Sequence, residues 1–461
     1  MTLTKLTKKM KKNYLFGTIA VSLLALGACS SNDEPEVGFS NDPYAQQILI
    51  QVSNAEDALA TRAGRPLNSS EAKQNIDAVK VIITDLDGNV VYVNNISKWM
   101  EGNTSTAYST NGHGRQKVVT IDEGHRLEAG KSYNVYAIGY NTTSDYDMSA
   151  IVNVDENGKF NENAKITLKV GNNGQLNTVG EEIFAGSKTH KVNEDKEAGF
   201  QISVILNRQV AGAYGYFSSV PYMEGAAKLR LVADNNLNQD LILGSFINNY
   251  LYTNGLNTEL KTYVMNGANP KADTNVIYEI NLADWYGTVK DDAKDGLIDI
   301  DGWRQPTSFG RDKIFKTGTC FGGNFILPFA HGASGQTLTL QLTDASNKVL
   351  RYWPVLLGEN DPLTQEHNLI SWTGTKFETG ESHTGKAEVF NIVRNHLYGL
   401  GNRKWDTGVP PTQPDPDPDK TPDPEDKPEP LNKKEQLTLR VNDNWEVIHN
   451  MGLGDAVTPV K

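Results

Sequence analysis

Short stretches in which apolar and polar residues alternate are the feature that most limits the fold of this 461-residue chain. Successive side chains of a β-strand point to opposite faces, so alternation with a period of two predicts a strand with one buried face. Such stretches lie at 78–93, 131–141, 200–208 and 337–355. The first contains an Asp-Gly-Asn turn and predicts a hairpin, and the last predicts another. Helical periodicity is confined to short stretches near 57–60 and 70–79, so we predict an all-β fold.

Length and composition are sufficient for two ordinary hydrophobic cores. The chain is 38% hydrophobic and 22% charged, which is typical of a globular protein. The hairpin at 337–355 repeats features of the hairpin at 78–93, since Thr84-Asp85 before the first turn is matched by Thr343-Asp344 before the second. This similarity indicates two β-sandwich domains in series, which we place at residues 63–207 and 208–408. The net charge of −12 argues against a nucleic-acid partner, because a phosphate backbone requires a basic face.

The N-terminal segment has the features of an export signal. Residues 1–28 contain five lysines, and the apolar stretch that follows these lysines is too short to span a bilayer. The stretch ends in Leu-Gly-Ala-Cys, which resembles a bacterial lipobox and predicts acylation of the Cys29 thiol. The alternative is an ordinary secretory signal with an incidental cysteine. The second of the two cysteines is Cys320, for which we predict a buried position in a core.

No chemical motif in the sequence favours an enzyme. The segments 85–89 and 291–302 contain several aspartates, but the second has Ala293 and Gly302 where an EF-hand requires oxygen ligands, so solvated turns are favoured over calcium sites. The eight histidines form no metal-binding pair of known spacing. Residues 332–337 match neither a phosphate loop nor a nucleophile elbow. We therefore predict a protein with no catalytic residues, metal or cofactor.

A short segment near the start of the chain carries the first part of the functional prediction. Arg62 lies among small residues and precedes Ala63, so a trypsin-like protease would cleave between them; the alternative is an ordinary surface arginine. Upstream, Ile48, Ile50 and Val52 form one face of a single predicted strand. Cleavage after Arg62 would separate this strand, with the rest of a prosegment at residues 29–62, from the body of the protein.

The C-terminal segment repeats the aliphatic spacing of that first strand. If the first strand leaves, it opens an apolar groove edged by unpaired backbone groups, and a strand with the same spacing would fill the groove. Burial of each large apolar side chain there is worth about 1.5–3 kcal/mol. We predict that Leu439→Asp blocks this exchange and leaves the monomer folded. The residues expected to enter the groove are Leu437, Leu439, Val441, Trp445 and Val447.

A proline-rich segment separates this donor strand from the predicted domains. Nine of the 21 residues from 410 to 430 are proline, which favours an extended tether of about 65 Å at ~3.1 Å per residue. We place the tether at residues 409–434 and the donor strand with its tail at residues 435–461. Such a reach predicts delivery of the strand to a neighbouring molecule. Head-to-tail addition of this kind gives a filament when the contacts do not close into a ring.

The order of several short motifs supports this interpretation. They are Leu-Gly-Ala-Cys, Arg62-Ala63, the segments 135–141, 183–187, 207–211 and 394–400, the Pro-Asp tether and the terminal segment 442–451. In these motifs the chain resembles the fimbrillins of Bacteroidales, in particular the stalk subunits of the short fimbriae of Porphyromonas-type bacteria, which are type V pili.

The resemblance implies two transthyretin-like β-sandwich domains in tandem and export as an outer-membrane lipoprotein precursor. It further implies removal of the first strand by an Arg-specific protease and polymerisation by donor-strand exchange into extracellular fimbriae that support adhesion. The partners it implies are other copies of the chain together with anchor and tip pilins. The tail at 451–461 extends beyond the end expected of a stalk subunit, so a tip or accessory position stays open.

A surface lipoprotein that binds glycans or host ligands is the alternative function. Such a protein would present exposed aromatic side chains as a platform for sugar rings, although aromatic residues more often pack in a core. The candidate residues for this platform are Trp99, Trp285, Trp303 and Trp372.

Overall fold

The computed structural model describes residues 39–52, 76–99, 116–169, 181–194, 199–233, 237–243, 261–270, 275–291, 295–307, 315–330, 338–357, 366–379, 383–384, 391–402, 426–433 and 436–442. These residues form an all-β structure with two short α-helices, Ser149–Val152 (α1) and Leu282–Tyr286 (α2), and a 3-10 helix at Glu123–His125. None of the helices within these ranges has the length and apolar character needed to cross a membrane. The predicted all-β fold is confirmed.

The described strands are numbered in chain order. Strands β1 to β9 are Gln46–Val52, Ala78–Thr84, Val90–Ser97, Gln116–Thr120, Ser132–Tyr140, Tyr146–Asp147, Lys165–Leu168, Phe184–Lys191 and Phe200–Arg208. Strands β10 to β18 are Ala211–Ser218, Ala226–Ala233, Asn238–Ile242, Lys261–Met265, Gly267–Pro270, Asn275–Asn281, Thr319–Ile326, Phe329–Ala330 and Leu338–Asp344. Strands β19 to β26 are Val349–Leu357, Glu366–Trp372, Phe377–Thr379, His383–Thr384, Asn391–Ile392, Leu397–Leu400, Glu429–Pro430 and Leu437–Asn442.

Seven strands form the first sheet, in the order β3-β2-β5-β8-β9-β1-β4. The alternating stretch at 200–208 is β9. Phe200, Ile202, Val204 and Leu206 are buried, as its alternation predicts, while Gln201 and Ile205 between them are exposed. The hairpin predicted at 78–93 is formed by β2 and β3. Residues 78 and 79, at the end of a stretch with helical periodicity, instead begin β2, because β3 and β5 pair with both of its edges.

Nine strands form the second sheet, in the order β15-β11-β18-β19-β26-β24-β10-β16, with β25 also paired to β10. The hairpin predicted at 337–355 is formed by β18 and β19. Trp353 of β19 and Tyr216 of β10 are fully buried in the core of this part of the chain. Smaller sheets have the orders β14-β12-β7-β6 and β13-β20-β21, the latter with β22 on β20, and β17 pairs with β23.

The same strand connectivity occurs twice along the chain. In the first repeat β1 pairs antiparallel with β4 and parallel with β9, while β2 pairs with β3 and β5, and β5 with β8. In the second repeat β10 pairs in the same way with β16 and β24, while β11 pairs with β15 and β18, and β18 with β19. The repeats differ at their last two strands, because β8 pairs directly with β9 whereas β26 separates β19 from β24.

The two hairpins with a shared sequence pattern have the same turn but different positions in the repeats. In both, an aspartate (Asp85 or Asp344) accepts hydrogen bonds from the backbone N–H groups two and four residues later, at 2.8–3.0 Å. Gly88 and Asn347 take left-handed backbone angles at equivalent places, with φ of 81° and 69°. By connectivity, however, the β2–β3 hairpin corresponds to β11 and β15, not to β18 and β19. The sequence similarity between the two hairpins therefore reflects a shared turn. The repetition along the chain lies in the pattern of strand pairing.

Buried polar side chains hold the junction between the repeats. Arg208 ends β9, and its Nε donates to Oε1 of Glu182 at 2.7 Å, with both side chains at most 1% exposed. Nη1 of Arg208 also donates to Oδ1 of Asn395 in the second repeat, at 3.1 Å. In the reverse direction, Nη1 of Arg394 donates to Oε1 of Gln209 at 2.8 Å. Because each arginine bonds across the junction or beside it, the boundary near residue 208 is packed and is not an exposed linker.

We expect Glu182→Ala to lower the free energy of unfolding by about 3–5 kcal/mol, because it leaves the guanidinium of Arg208 buried without its carboxylate. Urea unfolding followed by tryptophan fluorescence measures this change. Glu194→Ala is the control, since Glu194 forms an ion pair with Lys191 at the surface and both side chains are more than half exposed. Equal stability of the two variants would contradict the prediction.

Candidate strand-exchange site

Strand β1 lies between β9 and β4 in the first sheet. It pairs parallel with β9 through seven residues and antiparallel with β4 through five. Ile48, Ile50 and Val52 are at most 1% exposed and pack in the core that contains Trp99 and Val135. At about 1.5–3 kcal/mol for each buried aliphatic side chain, these three residues are a substantial part of that core. Removal of β1 would therefore leave an apolar groove, which we call the β1 groove, between the edges of β9 and β4.

A buried glutamine fixes the beginning of β1. The side-chain amide of Gln46 donates from Nε2 to the carbonyl oxygen of Leu127 at 3.0 Å, and its Oε1 accepts from the N–H of Leu127 at 2.7 Å. The backbone carbonyl of Gln46 accepts from the N–H of Ile121 at 2.8 Å. These bonds satisfy buried groups that would otherwise cost free energy, so they set the register of the strand as well as its position.

The chain just before β1 also contacts the body. The N–H of Gly199 donates to the carbonyl oxygen of Pro43 at 3.1 Å, and a Cβ at position 199 would lie 2.1 Å from that oxygen. Only glycine allows this approach. Nη2 of Arg126 donates to the carbonyl oxygen of Tyr44 at 2.8 Å. The described part of the predicted prosegment is thus bound through backbone oxygens before the strand itself begins.

Strand β26 contains three of the five predicted donor residues, Leu437, Leu439 and Val441, and it lies in the second repeat of its own chain. It pairs parallel with β19 and antiparallel with β24, through three residues on each side. Leu437 and Leu439 are fully buried, whereas Gln436, before them, and Thr438, between them, are exposed. The prediction that this strand is separated from the domains of its own chain by an extended tether is therefore wrong in this structure. The reason is that β19 and β24 are separated by the width of one strand, and β26 satisfies both edges.

The C-terminal end of the predicted tether is also bound to the body. Asn402 and Lys427 exchange two backbone hydrogen bonds of 2.8 and 2.7 Å, directly after β24 and before β25. β25 then pairs with β10 on the side that β24 occupies further along, and Leu431 is fully buried. Nζ of Lys316 donates to the carbonyl oxygen of Asp426. The expectation that residues up to 430 remain an unfolded tether is corrected here, because an edge of β10 is available to them.

This attachment changes what sets the reach of β26. Residues 403–425 lie between Asn402 and Lys427, which are paired with each other. While this pair is intact, the length of that segment adds nothing to the distance that β26 can cover. Residues 432–436 connect the buried Leu431 to β26. Five residues span about 17 Å at most, compared with about 65 Å for the whole proline-rich segment.

We expect replacement of residues 403–425 by two glycines to leave the monomer folded with an unchanged or slightly higher Tm. The bonds between the segment ends remain, and a shorter closed loop costs less entropy. Thermal unfolding measures the effect. As a control, the same replacement combined with Leu431→Asp removes the buried anchor and is expected to lower Tm. A lower Tm from the loop replacement alone would contradict the prediction.

Several predicted site residues fall outside the described part of the chain. These are the lipidation residue Cys29, the cleavage residues Arg62 and Ala63, and the donor residues Trp445 and Val447. Val441 belongs to β26 and pairs with Tyr398 through the backbone. The structure therefore places Ile48, Ile50 and Val52 between β9 and β4, and Leu437 and Leu439 between β19 and β24. Lipidation and cleavage stay predictions.

The other candidates from the sequence are the four tryptophans, Cys320 and the aspartate-rich turns. Trp99 and Trp285 are at most 2% exposed, which excludes them from a sugar-binding surface, and Trp303 and Trp372 are partly buried. Cys320 is fully buried, as predicted, and burial raises the pKa of its thiol to about 12. A hydrogen bond from the side chain of Asn89 lowers the pKa of Asp85. Within the described ranges, no group of three or more His, Cys, Asp or Glu side chains is placed to hold a metal ion.

Two features of the site were missed in the sequence. Gln46 shares a strand face with Ile48, Ile50 and Val52 and is 2% exposed, but the pattern of aliphatic residues gives no indication of its bonds to Leu127. The pairing of Asn402 with Lys427 has no sequence signal of its own, because a backbone bridge depends on the fold around it. The repeated glutamine at positions 46 and 47 is the available hint, since polar residues at the start of a buried strand need partners.

Comparisons with known proteins give similarities at low scores. No family model matches the chain, and no curated protein sequence matches it. Among solved structures, the fimbrial anchor protein Mfa2 from Porphyromonas gingivalis has 11% identity and a TM-score of 0.35, over 76% of this chain and 99% of the other. The tip fimbrial protein Mfa3 from the same organism, with a C-terminal truncation, has 9% identity and a TM-score of 0.35 over 77% and 94%. A fimbrial assembly protein from Parabacteroides distasonis has 14% identity and a TM-score of 0.30 over 75% and 98%.

Proposed function

We propose that this chain is a structural, non-enzymatic subunit of an extracellular fimbria that supports adhesion. In this proposal the precursor is exported as an outer-membrane lipoprotein through Cys29, and an Arg-specific protease cleaves between Arg62 and Ala63. Strand β1 then leaves the first repeat, and residues 437–447 of the next copy enter the β1 groove. Anchor and tip pilins are the further partners at the ends of the fibre.

The observation that carries the proposal is the match between β1 and β26. Both strands present aliphatic side chains at alternate positions, and both lie between one parallel and one antiparallel neighbour. A strand that fits one of these surroundings has the side-chain spacing and the backbone groups that the other requires. Position 62 lies 10 residues after the end of β1 at Val52, so cleavage there would leave β1 attached by non-covalent contacts alone.

The number of paired residues favours the exchange. In its own repeat β26 pairs with three residues on each side, whereas the β1 groove offers seven on β9 and five on β4. Leu437 and Leu439 are buried before the exchange and would be buried after it, so the apolar contribution changes little. Each additional backbone hydrogen bond is worth about 0.5–1.5 kcal/mol net. The β1 groove of a neighbouring copy is therefore the better site for β26 once β1 has left.

The first repeat indicates how the second would close after β26 leaves. There, the last two strands pair directly, at Phe184↔Arg208 and Ala185↔Asn207. Their counterparts β19 and β24 have the same connectivity and would regain edge pairing by closing the width of one strand. The edges exposed by the departure of β26 are in this way covered by each other, and the donor subunit remains folded.

Limited proteolysis tests the proposal. Protein that begins at residue 30 is treated with a low dose of an Arg-specific protease and separated on a gel without boiling. We expect a ladder of oligomers, because cleavage releases β1 and the groove accepts β26 of another copy. Arg62→Ala is expected to give the monomer alone, and Arg65→Ala, next to a protease-resistant bond before Pro66, is the matched control that retains the ladder. A cleaved protein that stays monomeric would overturn the proposed function.

A further inference from the structure

The contact between Gln46 and Leu127 shows which hydrogen-bonding groups a strand in the β1 groove has to supply at this end. Leu127 presents one donor and one acceptor, its backbone N–H and carbonyl oxygen, and the amide of Gln46 binds both. Gln46 and Leu127 are 2% and 6% exposed, so water does not readily replace either bond. We call this pair of backbone groups the Leu127 notch. An amide side chain satisfies it completely because an amide both donates and accepts.

The similarity between the two strands extends to the residues that precede the aliphatic positions. Gln46-Gln47 stands before Ile48, and Glu435-Gln436 stands before Leu437. When the aliphatic residues of β26 from a second copy occupy the β1 groove in register, Glu435 falls at the position of Gln46. An ionised carboxylate only accepts hydrogen bonds, so it matches the N–H of Leu127 and leaves the carbonyl oxygen facing another oxygen.

We propose that the Leu127 notch is a specificity-determining position of the β1 groove. It discriminates between bound strands by the side chain that lies two residues before their first aliphatic residue. This inference rests on the proposed strand exchange. The resident Gln46 satisfies both groups of the notch, and the incoming Glu435 satisfies one. The intact prosegment is consequently the better ligand at this end of the groove, and a second copy displaces it only after proteolysis has removed its covalent link.

The notch is tested first in the uncleaved monomer, where Gln46→Glu places the chemistry of the incoming strand at the resident position. We expect the amide hydrogen of Ile121, which donates to the backbone carbonyl of Gln46, to exchange roughly tenfold faster, because β1 opens more often at this end. Gln47→Glu is the matched control, since the Gln47 side chain donates to Thr120 Oγ1 at 3.1 Å and not to the notch. Equal exchange rates in the two variants would overturn the inference.

The second test uses oligomers formed after cleavage. We expect Glu435→Gln to slow the dissociation of these oligomers about tenfold, because the incoming strand then satisfies both groups of the Leu127 notch. Gln436→Glu, one residue further on, is expected to leave the rate unchanged. Oligomers of Glu435→Gln that dissociate at the wild-type rate would overturn the inference and leave the proposed function intact. If no variant forms oligomers while Gln46→Glu still accelerates exchange, the proposed function is overturned, and the Leu127 notch is shown to hold β1 in place but not to select an incoming strand.

Discussion

Leu439→Asp is expected to lower the free energy of unfolding of the uncleaved monomer by about 4 kcal/mol or more. The side chain of Leu439 is fully buried in the core of the second repeat, together with Leu437, Trp353 and Val355. A carboxylate at that position loses the apolar contact and places a charge among buried apolar side chains. Urea unfolding of protein that begins at residue 30 measures the loss.

Thr438→Asp is the matched control for this variant. Thr438 lies on the same strand and is exposed, so the same charge added there leaves the core unchanged. We expect wild-type stability from this control. Wild-type stability of Leu439→Asp as well would show that β26 contributes nothing to its own repeat, which would contradict its placement between β19 and β24.

This expected result replaces the one drawn from the sequence, in which Leu439→Asp leaves the monomer folded. The alternation of Leu437, Leu439 and Val441 correctly predicted a strand, and Leu437 and Leu439 are buried in it. Alternation shows which face of a strand is buried but does not identify the strand beside it. The location of β26 depends on a gap between β19 and β24, and that gap results from long-range packing that no local pattern records.

The same limit explains which parts of the fold were predictable. Turn chemistry is local, so the hairpin around Asp85 and Gly88 could be predicted from its sequence. The strand β9 was predictable because Phe200, Ile202, Val204 and Leu206 are apolar residues at every second position. The ion pair of Arg208 with Glu182 was not, because the two residues are 26 positions apart and meet through the β8–β9 pairing. Likewise, the proline content of residues 410–430 indicated an extended chain and gave no sign that its last residues pair with β10.

A disulfide between β26 and β19 provides the most direct test of whether β26 must leave its own repeat before assembly. Leu356 and Thr438 are cross-strand partners in this parallel pair, and Leu356 is partly buried while Thr438 is exposed. Neighbouring strands lie about 4.8 Å apart, within the range of Cα separations that a disulfide spans. In protein that begins at residue 30, Cys320 is the remaining native cysteine, and its buried thiol, with a pKa raised to about 12, is a poor competitor for the new pair.

We expect the oxidised Leu356→Cys/Thr438→Cys protein to remain monomeric after cleavage and to form oligomers once a reductant is added, because the disulfide holds β26 between β19 and β24. The control places a disulfide at Gln341 and Tyr352, partners in the β18–β19 hairpin, where it restrains no strand that has to move. That protein should assemble in both redox states, as measured on gels without boiling. Assembly of the oxidised Leu356→Cys/Thr438→Cys protein would mean that β26 stays in its own repeat within the fibre. The β1 groove would then be filled by a different segment of the neighbouring copy, and the match between β1 and β26 would have no role in assembly.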